Sequence, residues 1–437
     1  METRSNRRWC HIESEKFTNW SGSVEFTPRS RIRARDSAEV VSAVRRAREH
    51  GRSVRPVGSG HSSMPLVATD DVLLSVDDLS GVEATDPERG LATVLPGTGL
   101  ADLGAELRES GLGLENLGDV DYQSIAGAIG TGTHGTGARL GNLSSTLVGG
   151  TLVTGTGDEV SFGHEAGATE ENRGDSAHGR PEGVADDDLA RAAQVSLGAL
   201  GVFTRMTLRV RPYYELHRRN WMTHIDWVLD NYAELVDSHR HMDFYWYPRS
   251  DLAQVRLLDE PGREPDLRPP PGSLKTEETG PAYEILPNDR HLLFEEMEYA
   301  LPLDTELAAF RRARERIKAR HRSIVGWRVL VRTVAADQGL LSPFHGRPSM
   351  TIALLQNASL PHEEYFSDME PLFLEHAGRP HWGKKHRLGA DELAARYPEW
   401  DEFSRVRERL DPDGVFLNDH LRELLVTGTG PAAPGGR

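Results

Sequence analysis

Glycine recurs every few residues between positions 111 and 150, with Gly127, Gly130, Gly132, Gly135 and Gly137 in one short run. Such density is expected to exclude regular helix and strand interiors, because every glycine adds backbone entropy that a regular element must remove. It suits a backbone that approaches a flat or phosphate-bearing ligand closely. Interleaved Ile125, Ala126, Ile129, Leu143 and Leu147 are packing groups that a flexible linker does not need. The stretch therefore reads as ligand-wrapping chain.

A chain of 437 residues is long enough for two domains, and its single cysteine, Cys10, excludes an intramolecular disulfide. No apolar run approaches the roughly 20 residues of a membrane-spanning helix. The formal charge of −16 and mean hydropathy of −0.51 argue against a nucleic-acid or membrane binder, so anionic ligands must be held by local features. The basic first ten residues precede His11-Ile-Glu-Ser-Glu15 and not an apolar core, so neither a secretory nor a twin-arginine leader is expected and the expected compartment is the cytoplasm.

From Pro28 to Pro212 short β-rich segments alternate with helical ones, as in an α+β nucleotide-binding domain. Asp36-Ser37 can cap a first helix carrying Val40, Val41, Val44 and Ala47, with Gly51 as its stop. Strands are expected at 53–57, 72–76 and 91–95, and a second helix near 100–109. Aromatics then concentrate beyond Tyr213, at Trp221, Trp227, Tyr232, Phe244, Tyr245, Trp246 and Tyr247, marking a separate substrate-side domain. Residues 164–188 and 259–281 read as mobile surface excursions, the second around Arg268-Pro-Pro-Pro-Gly272, and 427–437 as a disordered tail.

Gly58-Ser-Gly-His61-Ser62-Ser63 follows a strand, so successive amides could cradle a pyrophosphate, although it lacks both the dinucleotide Gly-x-Gly-x-x-Gly spacing and the lysine of a P-loop. On these residues alone His61 is a solvated loop histidine more often than a functional one. His381-Trp-Gly-Lys384 with His386 has no second ligand pair at metal spacing, so no metal is expected, and His239-Arg-His241 reads as surface. Arg332 lies among Val329, Leu330, Val331 and Val334, which implies burial with a purpose.

The first loop, together with Leu114-Glu-Asn-Leu-Gly-Asp-Val-Asp-Tyr-Gln-Ser-Ile-Ala-Gly127 and Thr131-Gly-Thr-His-Gly-Thr-Gly137, resembles the aldonolactone oxidoreductases and alditol oxidases (D-arabinono-1,4-lactone oxidase-like) of the vanillyl-alcohol-oxidase superfamily. Further likeness lies at Ser196-Leu-Gly-Ala-Leu-Gly-Val-Phe203, Arg332-Thr-Val-Ala-Ala-Asp337, Leu341-Ser-Pro343, His381-Trp-Gly-Lys384 and Asp411-Pro-Asp-Gly-Val-Phe-Leu-Asn-Asp419. The resemblance implies a two-domain α+β flavoprotein: an FAD-binding domain over 1–212, to which 410–430 returns, and an α+β substrate (cap) domain over 213–409. It also implies covalent flavin at His61, with Val57, Gly58, Ser59, Gly60, Ser62, Ser63, Ser124, Gly127, Thr131, Gly132, Thr133, His134 and Val202 at the cofactor. Gly118 matches a position beside the flavin through which O₂ reaches the ring, which implies an oxidase, although Asn116-Leu-Gly118 also reads as a turn needing glycine. Lys384, Arg332, His381 and Asp119 become the catalytic candidates. The implied function is FAD-dependent oxidation of an alcohol on a sugar, polyol or sugar lactone, with electrons passing to O₂ to give H₂O₂. The alternatives are a tailoring enzyme for a larger, anionic or non-sugar alcohol, and a non-catalytic flavin-binding protein.

Two departures bear on the substrate. The family's Glu-x-Arg reads Leu330-Val331-Arg332, and the alditol-oxidase threonine is replaced at Leu355 or Gln356. Without that carboxylate Arg332 and Lys384 lose a negative neighbour, so the site is expected either to favour an anionic substrate or to need another carboxylate such as Asp119 to compensate, and simple polyols and neutral lactones should be poor. A glutamate from Phe294-Glu-Glu-Met-Glu298 is the other possible source of the missing group.

Overall fold

The computed structural model describes residues 15–164 and 180–428. The first helix, Ser37–Glu49, begins where Asp36 accepts the Glu39 amide at 2.8 Å and ends before Gly51, whose φ of +61° a side chain would strain. Its buried Val40, Val44 and Ala47 cover a three-stranded parallel sheet ordered Ser30–Arg33, Val72–Ser75, Val54–Val57. The helix Leu100–Glu109 and the strand Leu91–Val94 also form where periodicity places them. A five-stranded antiparallel sheet follows, with Leu147–Val153 between Glu159–Gly163 and Val202–Arg209.

The glycine-rich stretch is more regular than expected. It contains a helix, Ile125–Thr131, and the strand Leu147–Val153. Close approach explains its glycines better than irregularity does: a Cβ on Gly149 would lie 2.0 Å from the His164 carbonyl oxygen, and one on Gly150 2.7 Å from that of Arg205.

The second unit is an eight-stranded antiparallel sheet in the order Ser273–Pro281, Glu215–His224, Leu252–Asp259, His241–Tyr247, Val329–Val334, Ser349–Asn357, Phe294–Pro302, Arg379–Pro380. The helices Ile225–Ser238, Ala308–Arg316 and Glu363–Glu375 bury one face against Phe244, Trp246, Val331, Ile352 and Tyr299. Period-two alternation sends Tyr245, Leu330, Arg332, Glu296 and Glu298 to the opposite face. From Leu388 the chain joins the first unit's core, where Leu393, Trp400 and Val406 belong to the same buried cluster as Leu100 and Ile129 and the helix Trp400–Leu410 packs on the helix Asp186–Ala193. Asp411 closes that return by accepting the Val415 and Phe416 amides at 2.8 and 2.9 Å.

Other expectations need correction. Residues 259–281 are no excursion: Ser273–Pro281 is an edge strand, and Asp259 is buried with His239 Nδ1 2.6 Å away. His239 and His241 are buried, because the strand His241–Tyr247 lies inside the sheet. Residues 186–188 open the helix Asp186–Ala193, whose Leu189 and Ala192 enter the core. Cys10, the basic first residues, 165–179 and 429–437 of the tail lie outside the described residues. Among those described, no helix is long and apolar enough to cross a membrane.

Candidate active site

The strand Val54–Val57 delivers the 58–63 loop into a cleft with about 960 Å³ of free space. Val57, Gly58, Ser59, Gly60, His61 and Ser62 form one wall, and Ser124, Gly127, Thr131 and Val202 belong to the other. A Cβ on Gly58 would stand 1.9 Å from Ser124 Oγ, so these two walls touch only because residue 58 is glycine. The amides of Ser59, Gly60 and His61 meet no acceptor among the described residues, and the buried Ser124 Oγ and His61 Nδ1 have no partner. Unpaired donors beside small side chains are what a bound pyrophosphate and flat ring require. Arg55, missed in the sequence, lines the same cleft and ties it together by donating to the carbonyls of Leu66 at 2.9 Å, Gly198 at 3.0 Å and Leu197 at 2.7 Å.

A second cavity, with about 590 Å³ of free space, shares His61, Ser62, Gln123 and Thr131 with the first. It brings together Asp119, Thr133, His134, Arg332, His381 and Lys384 from four separate stretches of chain. Gly118, Gly132 and Ser63 line neither cavity. Gly132, with φ of +78°, caps the helix Ile125–Thr131, and Ser63 donates its amide to the Gly383 carbonyl at 2.8 Å. Gly118 has no left-handed φ, so a turn does not demand glycine there; a Cβ would lie 2.8 Å from the Thr133 methyl.

The carboxylate expected at position 330 comes from elsewhere, which overturns the inference drawn from Leu330. Glu298 lies opposite Ala353, and Ala353 lies opposite Leu330, so across this row a small alanine lets Glu298 reach Arg332, with Oε1 2.6 Å from Nη2. Lys384 meets Glu296, two residues earlier on the same strand. The 381–384 turn is docked on that strand through His381 N–H to the Glu298 carbonyl at 2.9 Å and Lys385 N–H to that of Glu296 at 2.8 Å. The segment Phe294-Glu-Glu-Met-Glu298, the other source considered in the sequence, thus supplies both carboxylates. Leu355 reaches the cavity, whereas Gln356 turns away to the Ile324 and Pro361 carbonyls.

Each cavity carboxylate therefore has its own cation. Asp119 is held by Arg290 and accepts from Tyr245 Oη at 2.9 Å and Asn288 Nδ2 at 2.7 Å. Burial opposes its ionisation, but the charges of Arg290, Arg256 and Arg332 outweigh that and hold it well below the usual carboxylate range. Burial likewise opposes ionisation of Glu298, and the charge of Arg332 reverses it. Burial, helped by Lys384's charge, pushes His61 down to about 3. Burial also keeps His134 and His381 neutral. Hydrogen bonding assigns their tautomers: His134 Nδ1–H donates to the Gly135 carbonyl at 2.9 Å, whereas His381 Nδ1 accepts the Gly383 amide at 3.1 Å and leaves Nε2 as a donor. Ligand atoms of His134, Glu298 and His381 lie within 4.8 Å of one another, but Arg332 already supplies Glu298 with its cation.

The family profile described as D-arabinono-1,4-lactone oxidase matches residues 206–277 and 268–424, and one described as an FAD binding domain matches 28–163. L-gulono-1,4-lactone dehydrogenase of Mycobacterium tuberculosis is 37% identical, over 94% of this chain and 99% of that protein. The alditol oxidase of a Streptomyces species is 30% identical over 94% and 99%, and the L-gulonolactone oxidase of Bos taurus 26% over 94% and 98%. Cholesterol oxidase from B. sterolicum superposes with a TM-score of 0.80 over 97% of this chain and 99% of that one; at 16% identity this likeness concerns the fold.

Proposed function

Because the chain belongs to the aldonolactone oxidoreductase family, with FAD as its cofactor, we propose that it oxidises a carbinol of a neutral sugar lactone or closely related polyol. The observation that carries this reading is the charge balance of the substrate cavity, where Asp119, Glu296 and Glu298 are matched by Arg290, Lys384 and Arg332. A balanced site of donors and acceptors suits a neutral polyhydroxylated ligand, because an added anion would find no uncompensated cation there.

The residues of the first cleft fit FAD through the unpaired amides of the 58–63 loop and the partnerless Ser124 hydroxyl. We assign His61, neutral and at the junction of the cavities, as the covalent attachment residue. When bound, FAD supplies the two-electron acceptor for the carbinol hydrogen. The Lys384 ammonium donates a hydrogen bond to the substrate oxygen and offsets the negative charge that grows there. Since an ammonium cannot accept a proton, its ion-pair partner Glu296 is the group that takes the hydroxyl proton. Arg332, fixed by Glu298 and by the His134 carbonyl at 3.0 Å, adds positive charge to the cavity. Asp119 accepts from substrate hydroxyls, and His381 Nε2–H donates.

We assign the FAD-binding unit to the N-terminal half plus the chain returning from Leu388, the substrate unit to the eight-stranded sheet, O₂ as electron acceptor and the cytoplasm as compartment. The relatives named oxidases support O₂, and the hydrophilic, acidic composition supports the compartment. An anaerobic screen of lactones, polyols and aldonate anions, read by loss of the yellow absorbance, tests the substrate. Neutral lactones should bleach the protein fastest, and Lys384→Met should slow that step by about 10²-fold. Leu330→Glu should impair it, since it buries a carboxylate without a cation. Preferential bleaching by aldonates would reject the proposal, and H₂O₂ formation on aeration checks the acceptor.

A further inference from the structure

A hairpin pairing Phe17–Thr18 with Glu25–Phe26 lies against the 58–63 loop and is fitted to it at several points. Buried Asn19 donates through Nδ2 to the Ser62 carbonyl at 2.9 Å and accepts the Val24 amide on Oδ1 at 2.9 Å. Trp20 N–H donates to the Gly60 carbonyl at 3.0 Å. Phe17 presses on Gly60 so closely that a Cβ there would lie 2.6 Å from its Cζ. On the opposite side the Ser63 amide is tied to Gly383, so the loop is gripped by both units.

His61 is the exception within this grip. No hydrogen bond from a described residue orients its ring, and Nδ1 is buried with no partner. Rings orient it instead: the Trp20 indole lies 4.7 Å from the imidazole centroid at 50°, and Tyr122 lies at 6.2 Å, edge-on. Trp20 is itself braced by Phe294 at 5.0 Å, edge-on, from the cap sheet. A polar partner would occupy the lone pair that a nucleophilic imidazole needs, whereas an aromatic wall fixes the ring and leaves the nitrogen free.

We propose that Trp20, locked onto the loop through Asn19, is the positioning residue that sets the His61 imidazole for covalent attachment of the flavin. This rests on the reading of His61 as the attachment residue. The attachment converts an imidazole N–H and a C–H of the flavin 8α-methyl into a C–N bond; the two protons and two electrons released pass to O₂ and give H₂O₂.

The test is the fate of the flavin after denaturation. Wild type, Trp20→Ala, Trp20→Phe and His61→Ala are loaded with FAD, total flavin is measured by absorbance, and attached flavin by fluorescence of the protein band on a denaturing gel. Trp20→Ala should still bind FAD but attach it at least tenfold more slowly, Trp20→Phe should retain most of the rate, and His61→Ala should give a dark band. Attachment at the wild-type rate in Trp20→Ala overturns the role of Trp20 while leaving His61 intact. A dark wild-type band overturns the attachment reading and the proposal with it. Should Trp20→Ala not fold, Trp20→Leu, which keeps apolar volume without a flat ring, must show the same slowing.

Discussion

Arg332 and Glu298 are almost sealed from solvent, with side-chain exposures of 6% and 1%. A buried ion loses more when its partner is removed than the pair contributes when intact. Arg332→Met should therefore cost about 3 kcal/mol of stability, as well as slowing substrate oxidation, because it strands the Glu298 carboxylate. Adding Glu298→Gln removes the stranded charge and should restore most of the denaturation midpoint without restoring the rate. Equal midpoints for the single and double variants in urea titrations would contradict this account. Lys384 retains 19% side-chain exposure but its partner Glu296 only 6%, so Lys384→Met should lose rate and also stability by the same stranding, and Glu296→Gln added to it should restore stability without restoring rate.

At the scale of elements, the 58–63 loop and the helix Ile125–Thr131 work as one device, joined where Gly58 faces Ser124. Gly58→Ala should abolish FAD retention, and Gly58→Ala with Ser124→Gly should recover part of it, since the second change removes the atoms the new methyl meets. Flavin content after gel filtration measures both. This device was legible in the sequence because its glycines and small hydroxyls sit within short contiguous motifs. The first helix was legible for a similar reason, its cap, stripe and stop being local. The segment Phe294–Glu298 could be named as a source of the missing carboxylate, but which glutamate meets Arg332 and which meets Lys384 was not legible, because that depends on how distant segments line up and no local pattern states that register. Misreading 259–281 has a related cause: Ser273–Pro281 is an edge strand with largely exposed side chains, so it lacks the apolar alternation that marks a half-buried strand.

The whole molecule holds a set of histidines that burial keeps neutral, among them His134, His241, His381, His386 and His420, with the last two pushed down to about 3 and about 4. An unfolded histidine takes a proton near pH 6.5, whereas in these burial shifts protonation to lower pH. Between those limits only the unfolded chain binds the proton, so their contribution is fully present above about pH 6.5 and is lost as the pH falls. Each histidine can remove up to about 1.4 kcal/mol per pH unit in that window. Urea midpoints should drop steeply from pH 7 to 5, with proton uptake on unfolding; a flat profile would refute this. The two units are also sewn together at the back of the site. Gly137 N–H bonds the Thr333 carbonyl at 2.8 Å, Ala335 N–H that of Leu140 at 2.9 Å, and the Thr136 hydroxyl that of Met242 at 2.6 Å. A seam of this kind resists a swing of one half against the other. Anyone wishing to retool the protein for bulkier alcohols should accordingly prune the cavity wall, starting with Leu355, and leave the joint alone.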